Sequence, residues 1–404
     1  MSKRVNGEGS IRQRANGRWE ARLTYKDDDD SLKSLSYYGG SKKEAKAKLD
    51  AARKRLEAGD PANDATMTVG QWCETWMSVS LEASSRKPTT KDTARRILRG
   101  HVQEATIGRV PLAMLKASHF DKWLLELRAR TKTVEVDGEP VEVRALKDST
   151  IQKSFRTLSV ALDGAVRDKL LARNPAKQVE VPTFEPHEAR VLTPEQTTAI
   201  LHAAKTMDET RARLGGIQSR NFPMLAFIAA TAVRKGEALA LKWDDIDFDA
   251  GTVTIRGTLS RVGSALIVTS PKTRNSRRVL APAEGVMRLL RAHRTTQLED
   301  RMRAGNLWQE TGHVFTTVTG RPVDPSAALR AFKTAAKHAG IEGANVHTLR
   351  HSAATAMLDA GTNLPAVSKL LGHSKTQVTG DIYAHLTTQT HQRAMDELGA
   401  ALGL

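Results

Sequence analysis

A chain of 404 residues is long enough for two or three domains, each with its own core, and 26% charged against 40% hydrophobic residues excludes the composition of a disordered chain. Lys and Arg number 62 against 45 for Asp and Glu, a net charge of +17, so a polyanionic partner is expected, nucleic acid before an anionic membrane surface. No apolar run approaches the roughly 18 residues of a membrane helix, the basic start MSKRVNGEGSIRQR has no apolar stretch behind it, and the single cysteine, Cys73, excludes an internal disulfide, so a reducing cytoplasm and no membrane are expected.

Residues 1–65 predict a small three-stranded sheet plus one helix. Alternating runs in GSIRQRANGRWEARLTY break at Asn16-Gly17, a strong hairpin signal. LKSLSYYG is expected as the third strand, after a solvated acidic turn at Asp27–Asp30. SKKEAKAKLDAARKRLEAG reads as a helix capped by Ser41, with Glu44 placed for a capping box and Gly59 just past its end. A sheet presenting Arg12, Arg14, Arg18, Trp19 and Arg22 suits a ribbon lying in a DNA groove; equally, its polar face is simply wet. EAGDPANDAT (57–66) reads as a linker.

Residues 66–183 are helical in pattern. TVGQWCETWMSVSL repeats apolar residues at three and four, with Thr68 as N-cap. Further helices are expected in RKPTTKDTARRILRGHV, SHFDKWLLELRAR and DSTIQKSFRTLSVALDGAVRDKLL. VEVDGEPVEV (134–143) interrupts them with valines flanking Asp137-Gly138, a hairpin of no evident role. Lys87, Lys91, Arg95, Arg96, Arg99, Lys153 and Arg156 are numerous enough for phosphate contacts, although each alone reads as a solvated charge.

Residues 184–404 open within the Pro-punctuated connector VPTFEPHEA (181–189) and are mostly helical beyond it. In 251–282, β-branched runs and turn signals predict three antiparallel strands, with Lys272 in the turn between the second and third. Four stretches carry unusual combinations. ATAVRKGEALALKWDDID has Arg234 at a turn between apolar helices and Glu237 beside it; SPKTRNSRRV carries Lys272. NVHTLRHSAATAMLDAG sets His347 and Arg350 on one helical face, and LLGHSKTQVTGDIYAHL has His373 ten residues before Tyr383, with His385 just after. Each has a plain structural reading: a surface ion pair for Arg234 and Glu237, a solvated lysine, core histidines, a core tyrosine. His347 and His351 have the spacing of helical metal ligands, but Arg350 between them repels a cation and no third ligand is evident, so no metal is expected.

Together they match the needs of phosphodiester attack. Tyrosine is a nucleophile that conserves the energy of the broken bond in a phosphotyrosyl ester. Two arginines can clamp the nonbridging oxygens, and a lysine or histidine can protonate the departing alkoxide. No nucleotide or other cofactor is then required.

With these residues in this order, the chain resembles the tyrosine recombinase family, the phage-type integrases. The family's Thr-Gly-x-Arg-x-x-Glu box appears here as Thr231-Ala232-Val233-Arg234-Lys235-Gly236-Glu237, its hairpin lysine falls on Lys272, its His-x-x-Arg on His347 and Arg350, its Leu-Gly-His on Leu371-Gly372-His373, and its nucleophile on Tyr383. The resemblance extends upstream: STIQKSFRTLSVALDGAVRDKLLARNPAKQVEVP is similar to the last helices and connector of a core-type DNA-binding domain, and GSIRQRANGRWEARL to an arm-type one. Two departures stand out: Ala232 replaces a glycine, straining any turn that needs positive φ there, and the 134–143 hairpin is longer than the usual connection.

The resemblance implies a mainly α, multidomain protein: an arm-type domain over 1–65, a helical core-type domain over 66–183 and a mixed α+β catalytic domain over 184–404. Tyr383 would attack the scissile phosphate to leave a 3′-phosphotyrosine, Arg234 and Arg350 would stabilise the pentavalent state, and Lys272 would protonate the 5′-oxygen. His347 would assist proton transfer at the tyrosine, His373 would hydrogen-bond a nonbridging oxygen, and Glu237 would hold the geometry. The implied partners are double-stranded DNA at core-type and arm-type attachment sites, three further copies in a tetramer, a DNA-bending host factor and an excision factor, in a bacterial host's cytoplasm. The terminal THQRAMDELGAALGL has helical spacing and would dock on a neighbouring protomer or fold on its own core. Two other readings are type IB topoisomerase-like relaxation, disfavoured by the arm-type domain, and a non-catalytic DNA-binding regulator, disfavoured by the full residue set.

Overall fold

The structure, a computed structural model, describes residues 10–26, 32–57, 67–136, 138–181, 183, 190–213, 220–269 and 277–372. The acidic turn at Asp27–Asp30, most of the 57–66 linker with Gly59, Asp137, most of the 181–189 connector, Lys272, His373, Tyr383 and the terminal segment lie outside the described residues. The chain divides into two compact units, Met1–Pro186 and His187–Leu404.

In the first unit, β1 (Ser10–Gln13), β2 (Trp19–Lys26) and β3 (Leu32–Gly39) form an antiparallel sheet in that order. The Asn16-Gly17 turn is present, with Gly17 at φ 79°. Helix α1 (Lys42–Glu57) starts where Ser41 Oγ accepts from Glu44 N at 3.2 Å; the Glu44 carboxylate reaches Gly40 N at 2.9 Å instead of closing a capping box on Ser41. Ala21 and Leu23 of β2 meet Ala45, Leu49 and Ala52 of α1 in a small core.

A separate core belongs to the helices that follow: α2 (Val69–Ser78), α3 (Ser80–Ala83), α4 (Pro88–Leu98), α5 (Ala117–Ala129) and α6 (Asp148–Arg167). Thr68 caps α2 in a full capping box with Gln71. Along α6, Ile151, Phe155, Leu158 and Leu162 recur at helical spacing and are buried, and the indole of Trp72 donates to Ala161 O at 2.8 Å, locking α2 to α6. The expected hairpin is β4 (Thr131–Val136) paired with β5 (Glu139–Arg144), turning at Gly138 with φ 86°.

The second unit builds its core from α7 (Pro194–Arg213), α8 (Phe222–Thr231), α9 (Lys235–Leu239), β6 (Ile246–Asp247), β7 (Thr252–Ile255), β8 (Thr258–Val262), β9 (Ala265–Thr269), β10 (Arg278–Leu280), α10 (Glu284–Ala304), α11 (Pro325–His338), α12 (Val346–Asp359) and α13 (Leu364–Leu371). Among its described residues the window 251–282 holds four strands, not the expected three. Gly263, at φ 56°, turns the continuous-looking run GTLSRVGSALIVT into the β8–β9 hairpin, while β10 pairs with β7 in a different sheet, ordered β10-β7-β6. Lys272 therefore falls between the third and fourth strands of that window. None of the described helices is long and apolar enough to cross a membrane.

Candidate active site and nucleic-acid faces

The site is assembled at the end of α8. This helix stops at Ala232, which takes the left-handed conformation (φ 54°, ψ 21°) expected of the glycine it replaces. The reversal buries Val233 completely and delivers Arg234 as the residue before α9. Glu237, one turn into α9, accepts from Arg234 N at 3.0 Å through Oε2 and from Arg234 Nη1 at 2.9 Å through Oε1. Gly236 lets α9 lie directly on β8, because a Cβ there would meet Thr258 Cγ2 at 2.7 Å and Leu259 O at 2.8 Å.

Arg350 comes from the second turn of α12 and is buried. Its Nη1 donates to Ala232 O and its Nη2 to Leu371 O, both at 2.7 Å. Arg234 reaches the same helix end, with Nη1 3.5 Å from Leu371 O and Nη2 3.4 Å from Gly372 O. Both guanidiniums thus sit on the negative C-terminal end of α13, immediately before His373. Ala232, Ala354, Val367 and Leu371 form a small apolar cluster beneath them.

His347 begins α12, where Asn345 Oδ1 accepts from its backbone N at 2.8 Å. The residue is exposed, yet the atoms around its ring partly desolvate it. That desolvation, then the charges of Arg350, His351, Lys235 and Arg234, hold it below the ordinary histidine range. The ring lies 6.4 Å from that of His351. Among the described residues no group of three or more His, Cys, Asp or Glu side chains is placed to hold a metal ion.

Two residues not singled out from sequence join this cluster. Arg278 opens β10 and is buried; its Nη2 donates to Glu237 Oε2 at 2.8 Å. Strand alternation gives the missed signal, since Arg278 shares a face with buried Leu280 while Val279 is exposed. Glu237 therefore lies between two guanidiniums. Burial alone would raise its carboxyl, but Arg278 and then Arg234 outweigh that and hold it below the usual carboxylate range. Lys235 is half-buried, donates from Nζ to Pro325 O at 2.8 Å, and is held below the ordinary lysine range by desolvation.

The N-terminal sheet does not present its candidates on one face. Arg12 pairs across the ladder with Glu20, so both point away from α1, as does Arg22. Trp19 points the other way, packing against the α1 core with Lys42 Nζ 5.7 Å from its ring centroid. The expected five-residue surface is corrected accordingly: alternation puts odd and even positions of β2 on opposite faces. Arg12 Nε and Arg14 Nε both bond Glu20 Oε2, at 2.9 and 3.0 Å, and Arg14 stacks over Tyr38. Arg14 first, then Arg12, lower the Glu20 carboxyl to about 2. Arg18 and Arg22 are exposed.

In the helical region of the first unit, Lys91 and Arg95 pair with Glu82, and Arg96 pairs with Asp92 at 3.1 Å. Lys87 precedes α4 and is half-buried. Lys153 and Arg156 of α6 line a cleft of about 450 Å³ against α4, together with Arg86, Thr89, Thr90 and Thr93. Cations beside hydroxyls are the donors that meet phosphate oxygens; Arg86 is the addition to the sequence set.

The phage integrase family model matches residues 190–390. The chain is 27% identical over 400 residues to a tyrosine recombinase XerC-like protein of Caldanaerobacter subterraneus subsp. tengcongensis, covering 95% of this chain and 96% of that protein. Its fold is similar to that of the Tn1549 transposon integrase in complex with transposon right end DNA (TM-score 0.62, 21% identity, 82% of this chain and 100% of that one). It is also similar to that of a lambda integrase tetramer bound to a Holliday junction (TM-score 0.54, 15% identity, 94% and 96%).

Proposed function

Because the chain belongs to the tyrosine recombinase family, the phage integrases, and is a site-specific DNA recombinase, we propose that it integrates a phage or other mobile element through a 3′-phosphotyrosine intermediate. Excision by the same chemistry would use a partner factor. Tyr383 Oη attacks the scissile phosphorus: the Oη–P bond forms, the P–O5′ bond breaks, the phenol proton leaves with the help of His347, and Lys272 delivers a proton to the departing 5′-oxygen. The reverse step uses the 5′-hydroxyl of the partner duplex, which displaces the tyrosine and restores a phosphodiester.

The observation that carries this reading is the convergence of Arg234 and Arg350 on the carbonyl of Leu371. Two guanidiniums held there supply fixed positive charge and several N–H donors for the nonbridging oxygens of the pentavalent state, a task a metal ion performs elsewhere. His373 follows Gly372 directly and adds a hydrogen bond to one of those oxygens, while Glu237 fixes the Arg234 side chain.

Residues 184–404 act as the catalytic domain, 66–183 bind core-type sites through the Lys153 and Arg156 cleft, and 1–65 bind arm-type sites, on a homotetramer assembled on DNA in the bacterial host. DNA complexes and a tetramer of fold neighbours support this assembly. A DNA-bending host factor completes the proposed set. The test is strand exchange in vitro between two duplexes carrying the element's and the host's attachment sites. Recombinant joints are expected; relaxation of supercoils without joints would favour the topoisomerase reading, and binding without either a regulator.

A further inference from the structure

Arg278 lies six residues beyond Lys272, on the strand that leaves the segment carrying that lysine. Its guanidinium reaches two other parts of the site. Nη2 bonds Glu237 Oε2 at 2.8 Å, on the carboxylate whose other oxygen holds Arg234 at 2.9 Å. Nη1 lies against Gly372, where a Cβ would come within 2.9 Å of it. Gly372, at φ 67°, is the last residue before His373.

The electrostatics of the trio point to a purpose. Glu237 and Arg278 are both buried, with side-chain exposures of 5% and 7%. Were Arg234 the only cation on Glu237, its charge would be spent on that carboxylate and little net field would remain for a phosphate. With Arg278 also on that carboxylate, Glu237 is shared between two guanidiniums and offsets less of the charge of Arg234, whose side chain is 35% exposed. A buried carboxylate between two guanidiniums is also a rigid bracket, since Arg278 and Arg234 bond it from different segments of the chain.

We propose that Arg278 is a positioning residue of the recombinase: by neutralising Glu237 it leaves the charge of Arg234 free for the scissile phosphate, and by lying against Gly372 it holds the end of α13 in place. One side chain thereby ties β10, the Arg234 turn and the end of α13 together. The inference rests on the proposed phosphotyrosyl chemistry.

The test compares wild type with R278M and R278K in full-length protein, on a nicked duplex whose scissile linkage is either the natural phosphate or an uncharged methylphosphonate. On phosphate, R278M is expected to form covalent complex about 10²-fold more slowly, the size of loss that follows from misplacing a reacting group by about an ångström. Its noncovalent DNA affinity should stay within a few-fold. On methylphosphonate, where no anionic charge needs neutralising, the gap should shrink to within about tenfold, and R278K should track wild type on both substrates within about the same factor. An equal loss on both substrates, or R278K as slow as R278M, would overturn the proposal and leave Arg278 a structural residue. If R278M does not fold, R278Q, which keeps hydrogen bonding to Glu237 without the charge, makes the same comparison. Absence of covalent complex with wild type would instead count against the phosphotyrosyl reading itself.

Discussion

Arg350 of α12 and Arg234, in the turn before α9, both donate to the carbonyl of Leu371, at 2.7 and 3.5 Å. The shorter bond belongs to the buried arginine and the longer to the one facing solvent, and this difference separates their roles.

Arg350 carries structure as well as charge. Hydrogen bonds from its guanidinium tie Ala232 O and Leu371 O, and a charge-assisted bond contributes roughly 1.5–3 kcal/mol. Arg350→Ala should therefore lower stability by about 3 kcal/mol, whereas Arg234→Ala, with Arg278 still on Glu237, should cost about 1 kcal/mol. Calorimetric unfolding of the two variants checks the order. Both should lose cleavage by about 10²-fold or more.

The left-handed Ala232 is a tolerated strain. A non-glycine residue at φ 54° costs about 1–2 kcal/mol, but the methyl is buried with Ala354, Val367 and Leu371 and contributes about 0.8 kcal/mol in return. Glycine also loses more entropy on folding, about 0.5–1 kcal/mol. Ala232→Gly should thus shift stability by less than about 1 kcal/mol, while the β-branched Ala232→Val should destabilise by more than about 2 kcal/mol. Melting temperatures of the two variants read this directly.

For His347, the folded pKa lies below the ordinary 6.5, so the unfolded chain takes up the proton more readily. Between the folded value and 6.5, stability rises with pH and falls on acidification. A neutral imidazole that accepts the tyrosine proton then predicts a single-turnover cleavage rate rising with pH to a plateau, with its acid limb below 6.5. His347→Gln should flatten that limb; a limb unchanged in the variant would assign it elsewhere.

Glu20 titrates with the opposite sign. Its carboxyl is lowered from 4.5 to about 2 by Arg14 and Arg12, so its stabilisation of the N-terminal sheet is full above 4.5 and lost as pH falls toward about 2. Glu20→Gln should remove that acid transition in circular dichroism. Since Arg12 and Arg14 are spent on Glu20, Arg22→Ala should reduce the salt dependence of DNA binding by about one ion, and Arg12→Ala by less.

Much of this was legible in the chain because it is local. The Thr68 cap, the Asn16-Gly17 and Asp137-Gly138 hairpins, and the strain at Ala232 depend on neighbours a few residues away. What escaped depends on contacts between distant segments. Alternation along β10 marks Arg278 as inward-facing, but its partner Glu237 lies 41 residues earlier and no local pattern points to it. The face occupied by Trp19 is set by where α1 packs, and a fourth strand hid in a run that only Gly263 divides. Arginine count alone overstated the N-terminal surface, because a buried glutamate neutralises part of it.

The most direct measurement is covalent trapping on a nicked duplex carrying the element's core site, from which the cleaved 5′-fragment diffuses away. The account predicts that wild type becomes covalently joined to the 3′-phosphate end, with or without EDTA, and that Tyr383→Phe binds the same DNA with no covalent product. A wild-type protein that binds the site and forms no such adduct, or a Tyr383→Phe variant that still forms one, would contradict it.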